Sequence, residues 1–310
     1  MYFCAATYHI TSMHYPAIAL VTGCYNDEKY IGETIESVLS QNYPNLQYVV
    51  INDGSTDGSL RVIQKYEKFL HYFENWEGYR KSIAAALNRG FSHTDASLMG
   101  WINSDDVLLP KSLLTVADIF EEMPGVDWFT GLATTLNDRS QIVEVRPFRK
   151  NLYDYLAGDW QTIQQESTFW RRSLWDQAGG HLEESFEHAF DVELWTRFFR
   201  FAEHYHVTTV LGGYRRISES GSIRHKDEFY AFVKHALDEL RRQIPATDMK
   251  RTRHYSALKR YARRFLRFIP HAWYEKSKRL APLGYKIISR DYANNRYALR
   301  TQNPFRSLFE

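Results

Sequence analysis

The sequence predicts an α/β fold, with a mostly parallel sheet flanked by helices. Three observations point to it. Tyr48-Val49-Val50-Ile51 is a run of β-branched and aromatic residues that stops at Asn52-Asp53-Gly54-Ser55-Thr56-Asp57. It is too short for a helix and reads as a strand buried on both faces, which needs helices above and below it. Leu98-Met99-Gly100-Trp101-Ile102 repeats the pattern and stops at Asn103-Ser104-Asp105-Asp106. Between such runs lie segments with helical apolar spacing, as in βαβ units, whose crossover is right-handed.

In chain order, residues 17–22 form the first strand. A loop follows over 23–27, in which Asn26 or Asp27 suits a helix cap. Ile31, Ile35, Val38 and Leu39 place a helix over 28–40. A turn at 42–45 leads into the strand ending at Asp53, and a helix runs from about 59 to 70. A short strand is expected at 69–73, then a helix over 80–90, rich in alanine. After the strand at 98–102, Pro110 should open a helix through 122. Later strands are expected at 127–130 and 142–145.

The 310 residues and 36.6 kDa allow one large domain with an appendage. A hydrophobic content of 44% with 25% charge is ordinary for a globular chain. Two cysteines, Cys4 and Cys24, make neither a disulfide framework nor a zinc cluster and suit a reducing compartment. No secretory leader and no run of about 18 apolar residues is visible, so neither export nor a spanning helix is expected. The expected location is the cytoplasm, or the inner face of a membrane as a peripheral protein. The net charge of +2 conceals an asymmetry: residues 245–310 hold 16 Lys+Arg against 4 Asp+Glu, and residues 1–244 hold 23 against 33. The organisation read from this is an N-terminal extension (1–15), an α/β domain (16–244) and a basic helical region (245–310).

Both acidic turns follow strands of one parallel sheet, so both lie on its carboxyl edge, where open α/β sheets bind ligands. That brings Asp53 towards Asp105 and Asp106. Each could equally cap the next helix. Adjacent buried carboxylates repel, and a hard divalent cation, Mg2+ or Mn2+, would relieve them. Neither a Walker A sequence nor Gly-x-Gly-x-x-Gly follows the first strand. Further on, Leu194, Trp195, Phe198, Phe199 and Ala202 mark an apolar helix face that Asp191 shares, while Glu193 and Arg197 read as a solvated pair. At a helix start the dipole favours an ionised Asp191. An N-cap aspartate has the same geometry. Arg80, Lys81, Arg215 and Arg216 suit phosphate, or simply an exposed surface.

Five segments, in this order, resemble the family 2 glycosyltransferases, inverting enzymes of the GT-A fold. They are Val21-Thr22-Gly23-Cys24-Tyr25-Asn26, Ser37-Val38-Leu39-Ser40-Gln41-Asn42-Tyr43-Pro44-Asn45, Asn52-Asp53-Gly54-Ser55-Thr56-Asp57, Asn103-Ser104-Asp105-Asp106 and Asp191-Val192-Glu193-Leu194-Trp195. The resemblance covers roughly residues 16–225. It implies a nucleotide site of Thr22, Tyr25, Asn26, Asp53 and Asp105. It implies an Asp-x-Asp-like pair, Asp105 and Asp106, with Asp106 the direct metal ligand. Asn52 departs from the family, which commonly has a second aspartate there.

The resemblance also makes Asp191 the general base, with Glu187 and Glu166 in reserve, and puts Gln165 and Trp170 on the acceptor side. It implies a single displacement with inversion, from a UDP-, GDP- or dTDP-sugar to a saccharide or lipid-linked hydroxyl, in cell-surface polysaccharide or glycan assembly. The Gln-x-x-Arg-Trp motif of processive synthases is absent from the sequence, which implies one sugar, or few, per encounter. A sugar nucleotidyltransferase would instead carry a glycine-rich basic loop after the first strand, and Gly23-Cys24-Tyr25-Asn26 is not one. Intact Asp53, Asp105, Asp106 and Asp191 weigh against a non-catalytic sugar-nucleotide-binding protein.

In the tail, Tyr255, Leu258, Ala262, Phe265, Leu266 and Ile269 line one side of a basic helix expected over 254–269, and Trp273, Tyr274, Lys276, Lys278 and Arg279 follow Pro270. Such a helix suits an anionic membrane surface. It would suit the acidic body as well. No nucleic-acid motif accompanies the charge, so nucleic acid is not an expected partner.

Overall fold

Successive residues of the two central strands feed two different cores. In β1 (Ile18–Cys24) and β2 (Leu46–Asp53), Ala19, Val21, Val49 and Ile51 join one core, and Ile18, Leu20, Tyr48 and Val50 join the other. This is the two-sided burial expected of strands in a parallel sheet. The computed structural model describes residues 15–77, 81–160, 163–186, 188–216, 226–265 and 283–302.

The first core is closed by α3 (Ile83–Phe91), α7 (Phe190–Phe198) and α8 (Lys226–Gln243). The second is closed by α1 (Ile31–Leu39) and α4 (Ser112–Glu122). The remaining helices are α2 (Ser59–Gln64), α5 (Leu152–Leu156), α6 (Arg172–Gln177) and α9 (Ala246–Phe265).

The remaining strands are β3 (Tyr72–Trp76), β4 (Leu98–Trp101), β5 (Val107–Leu108), β6 (Trp128–Thr130), β7 (Ala133–Leu136), β8 (Ile142–Arg146), β9 (Thr168–Arg171), β10 (Tyr205–Val207), β11 (Gly212–Arg215), β12 (Tyr285–Asp291) and β13 (Arg296–Gln302). Nine strands form the main sheet in the order β13-β12-β10-β6-β9-β4-β1-β2-β3. It is parallel except that β9 opposes β4 and β6, and β13 opposes β12. A smaller sheet has the order β5-β11-β7-β8. It stands at the carboxyl edge because β5 directly follows the acidic turn after β4.

Several expectations change. The helix expected over 59–70 stops at Gln64, and a 3-10 turn at Glu67–Phe69 lets His71 N–H reach Tyr48 C=O, so the third strand begins at Tyr72. Pro110 does not open α4, because Lys111 is left-handed (φ +68°) and the helix begins at Ser112. Glu193 and Arg197 are not solvated: their 2.7 Å pair is mostly buried, and Arg197 also donates to Ala178 C=O and His181 C=O.

The C-terminal region is not only helical, since β12 pairs with β10 and extends the main sheet, with Tyr285, Ile287 and Ile288 buried. In α9, Tyr255 is buried, with its hydroxyl donating to Asp154 at 2.7 Å, and Lys259 pairs with Asp154 and Asp159. Tyr255, one residue of the side expected to be apolar, therefore packs towards α5. Residues 266–282, including Trp273, Tyr274, Lys276, Lys278 and Arg279, lie outside the described residues. Among the described residues no helix is long and apolar enough to cross a membrane.

Beneath the carboxyl edge lies an aromatic stack. Trp195 sits between Trp101 (5.6 Å between ring centroids, nearly parallel) and Trp128 (5.5 Å). Trp195→Ala should cost about 3–5 kcal/mol, as for other large-to-small changes in a packed core. Urea unfolding with an unchanged slope would measure it, and a loss under about 1 kcal/mol would show that the stack does not hold this edge together.

Candidate functional site

The loops after β1 and β2 are tied together by side chains gripping backbone. Asn26, left-handed at φ +56°, accepts from Thr56 N–H (2.7 Å), and its own N–H reaches Ser55 Oγ (3.0 Å). Asp27 N–H reaches Ser59 Oγ, and Glu28 N–H reaches Asp57. Asn26 thus spends its carbonyl oxygen on the loop rather than on a nucleotide. Asn52 Nδ2 donates to Asn75 Oδ1 (2.6 Å) while its Oδ1 accepts from Ser55 (2.6 Å). An aspartate could not make the first of these bonds, which explains an asparagine there.

Thr22 is fully buried with its hydroxyl on Tyr48 (3.0 Å), so its side chain does not reach the site. Cys24 pairs with Asn52 across the strands, so Tyr25 and Asp53 leave the sheet side by side. Asp53 Oδ1 accepts from Lys81 N–H at 2.8 Å, and the Lys81 ammonium lies 3.9 Å from the Trp76 ring centroid.

The acidic turn after β4 is two strand spacings from Asp53, roughly 10 Å, because β1 lies between. Asp53 therefore forms a separate station instead of joining the other carboxylates. Asp106 is sealed: Oδ1 accepts from Arg215 N–H (2.8 Å), and Oδ2 from Gln165 Nε2 and Asn103 Nδ2 (both 3.3 Å). Asp105 is half-buried, and its carbonyl accepts from Arg215 Nε (2.6 Å). Of the pair, Asp105 is the more exposed, and both carboxylate oxygens of Asp106 are met by protein donors.

Arg215 is fully buried. Its Nη1 donates to Ser140 (2.7 Å), its Nη2 to Glu33 (2.9 Å), and its guanidinium lies 4.6 Å from the Tyr30 ring centroid. Every guanidinium nitrogen is engaged within the protein, so the expected phosphate role is withdrawn. Arg216 is exposed and lies 3.8 Å from Glu144. Arg80 and Glu187 lie outside the described residues.

Gln165 and Glu166 occupy a short 3-10 turn at the start of β9. Gly212 crosses it so closely that a Cβ there would sit 2.1 Å from the Glu166 carbonyl oxygen. Ser167 Oγ fastens the crossing from the other side, at 3.1–3.2 Å from Gly212 N and O. Trp170, expected against an acceptor, is fully buried among Trp101, Trp195 and Phe198. Its role is packing. Asp191 is the second residue of α7 and half-buried.

Charge links several of these acids: Glu166 feels Asp105 and Asp191, and Asp106 feels Asp105 and Glu166. Burial, with the charge of Asp27 added, pushes Asp105 up to about 6. Burial, with Asp105 and Glu166 nearby, holds Asp106 well above the carboxylate range. Glu166 is pushed up to about 8, by burial first and then by Asp105 and Asp191. Asp191 rises to about 6 because burial outweighs the N–H groups of Val192 and of Asp191 itself. The expected helix-dipole effect is present and loses to desolvation.

The donors are all oxygen, which suits Mg2+ or Mn2+. Among the described residues no three His, Cys, Asp or Glu side chains form a ready cage. A cation that takes one or two carboxylates and completes its shell with substrate phosphates needs none.

Residues 19–141 match the family described as Glycosyl transferase family 2. Over that segment, about 40% of its length, the chain resembles this family. It is similar to an uncharacterised glycosyltransferase of Rickettsia prowazekii, 26% identical over 206 residues, or 64% of each chain. It thus spans less than two thirds of that relative's length. Among solved structures it resembles Staphylococcus aureus TarS 1-349 in complex with UDP-GlcNAc, with a TM-score of 0.62, 17% identity, and 84% and 76% of the two chains covered. It also resembles the mannosyltransferase PcManGT of Pyrobaculum calidifontis in complex with GDP-Man and Mn2+, with a TM-score of 0.51, 16% identity, and coverage of 79% and 81%. These likenesses carry the GT-A fold expected for the family.

Asp27, Glu33, Ser140 and Gly212 were missed by sequence reasoning. The Gly212-Gly213 pair was the one available signal, since paired glycines permit close backbone approach.

A test follows from Glu166. Its carboxyl keeps its proton to about 8 against 4.5 for an ordinary glutamate, so the native chain binds the extra proton between those values. Stability is then full below about 4.5 and falls as pH rises towards 8. In metal-free buffer, Glu166→Gln should gain melting temperature over the parent progressively from pH 5 to pH 8. A constant difference would mean that the carboxyl is not held neutral.

Proposed function

We propose that this chain is an inverting glycosyltransferase, moving a sugar from a nucleoside-diphosphate sugar to a hydroxyl of a saccharide or lipid-linked acceptor. The observation that carries the reading is the set of acids Asp105, Glu166 and Asp191, in which Glu166 feels both of the others, with Tyr25 about one strand spacing and Asp53 about two from the Asp105 turn. That span suits a donor whose base lies by Asp53, whose diphosphate lies by Asp105 and whose sugar carbon faces Asp191.

Asp191, at about 6, is ionised at neutral pH and basic enough to take a proton from an acceptor hydroxyl. The hydroxyl oxygen then attacks the anomeric carbon from the side opposite the diphosphate, and configuration inverts. Glu166, neutral near pH 7, adds no charge against the diphosphate. Asp106 and Arg215 keep the Asp105 turn fixed while charge moves. A Mg2+ or Mn2+ held by Asp105 would supply Lewis-acid stabilisation of the departing diphosphate. The donors and Mn2+ bound by the two solved neighbours belong to the same chemical class. A role in cell-surface polysaccharide or glycan assembly, at the cytoplasmic face, accords with this acceptor class.

A thermal-shift panel of UDP-, GDP- and dTDP-sugars, with and without Mn2+, should give one donor that raises the melting temperature. No response to any of them would overturn the reading. With that donor, Asp191→Asn should keep binding and lose at least about 100-fold in turnover, in the range typical for a general base. Turnover of the parent should fall as pH drops through about 6, where Asp191 takes up its proton. Asp105→Ala should lose the Mn2+-dependent shift while keeping its stability in EDTA. Asp106→Ala should lose stability with or without metal, because Arg215 N–H, Gln165 and Asn103 lose their acceptor.

A further inference from the structure

Helix α9 has two sides that the fold uses differently. Thr252 and Tyr255 are buried and Lys259 is half-buried. They stand three and four positions apart, on the side that the Tyr255–Asp154 hydrogen bond and the Lys259 ion pairs hold against α5 and the loop after it. Lys250, Arg253, His254, Ala257 and Arg260 keep the same spacing on the opposite side, and all five are exposed. That outward stripe contains no acid.

Its charge is not answered from within the protein. Among the described residues Lys250, Arg253 and Arg260 form no ion pair, while acids on and beside the helix are already matched. Asp154 and Asp159 pair with Lys259, and Asp159 also with Lys150. Asp248 pairs with Arg251, and at the end of α8 Asp238 and Glu239 pair with Arg241 and Arg242. The helix itself holds seven Lys and Arg against one acid, within residues 245–310 that hold 16 against 4. The positive surplus is therefore carried by the stripe's own element, apart from the acidic balance of residues 1–244.

The shape of the stripe narrows its occupant. From Lys250 to Arg260 it runs about 15 Å along the helix. A helix flank is convex, so it does not enclose a single phosphate. None of the five exposed positions carries an aromatic ring on which a base could stack. A flat anionic surface meets the long side chains all at once, their stems lying along the helix and their charged ends at the headgroups.

We infer that the outward stripe of α9 docks the chain on an anionic bilayer, with Lys250, Arg253 and Arg260 against the lipid headgroups. The contact is made by the basic side of the helix, whereas Tyr255 of the expected apolar side is held by Asp154. It is electrostatic, so salt screens it. The inference does not depend on sugar transfer.

The test is sedimentation of the full chain with phosphatidylcholine vesicles, with or without about 30% phosphatidylglycerol. The parent should bind the anionic vesicles and leave the neutral ones. It should come off as salt rises from about 0.1 M to about 1 M and the screening length falls from about 10 Å to about 3 Å. Lys250→Gln with Arg253→Gln and Arg260→Gln should lower binding roughly 100-fold, at about fivefold per charge near the surface. The melting temperature of that variant should not change, the three side chains being exposed. Lys65→Gln with Lys68→Gln and Arg139→Gln removes the same charge from exposed positions elsewhere and should leave binding unchanged. Equal losses in the two triple variants, or no loss in the first, would overturn the proposal. So would a parent that ignores anionic vesicles, or one that holds a labelled RNA oligonucleotide in preference to them. A dimer, seen by light scattering, that the α9 variant abolishes would do the same, since a second copy would then cover the stripe.

Discussion

Arg215 is the buried charge around which the carboxyl edge is assembled. A guanidinium with no exposure is costly unless its donors are matched. Here the matches come from four places in the chain: the Asp105 carbonyl, Ser140 of the β7–β8 turn, Glu33 of α1 and the face of Tyr30. The Arg215 backbone N–H adds Asp106. One residue therefore fixes the acidic turn, the first helix and the smaller sheet relative to one another. Glu33 is half-exposed and ties this buried cation to the surface. The cost of burying the charge is offset only when all these segments are in place, which makes the arrangement cooperative.

The acids of the site depend on that frame in opposite ways. Asp106 is consumed by it, and Asp105 is left the more exposed of the pair. Asp191 is held from the other side, by a helix whose next turn inserts Trp195 into the aromatic stack. This rigid backing has an electrostatic consequence. The helix start would favour the ionised carboxylate, but the low-polarity stack below it raises the proton affinity more. The result is a carboxylate poised just under neutral, which suits a base that must collect a proton and lose it again.

Much of this was legible in the residues. The β-branched runs ending in acidic turns gave the central strands, because a strand buried on two faces has a distinctive composition. Ile31, Ile35 and Val38 gave α1 for a similar reason, a period that only a helix satisfies. What was not legible depended on partners far away in sequence. The C-terminal strand β12 lies in a region rich in basic residues, and its place in the sheet is set by distant β10 as well as by its neighbour β13. Trp170, Arg215 and Thr22 look like site residues by type and position. Burial, which the local sequence does not display, turns them into packing, clamp and core.

By itself, the sequence determined the central strands and the acidic turns that end them, because side-chain periodicity and turn chemistry act over a few residues. Only the tertiary structure decided which of two adjacent aspartates is sealed by protein donors, that Glu166 feels both Asp105 and Asp191, and that a bulged hairpin carries exposed aliphatics. Those outcomes rest on desolvation and on hydrogen bonds between segments as many as 182 residues apart, and such interactions exist only once the chain has closed on itself.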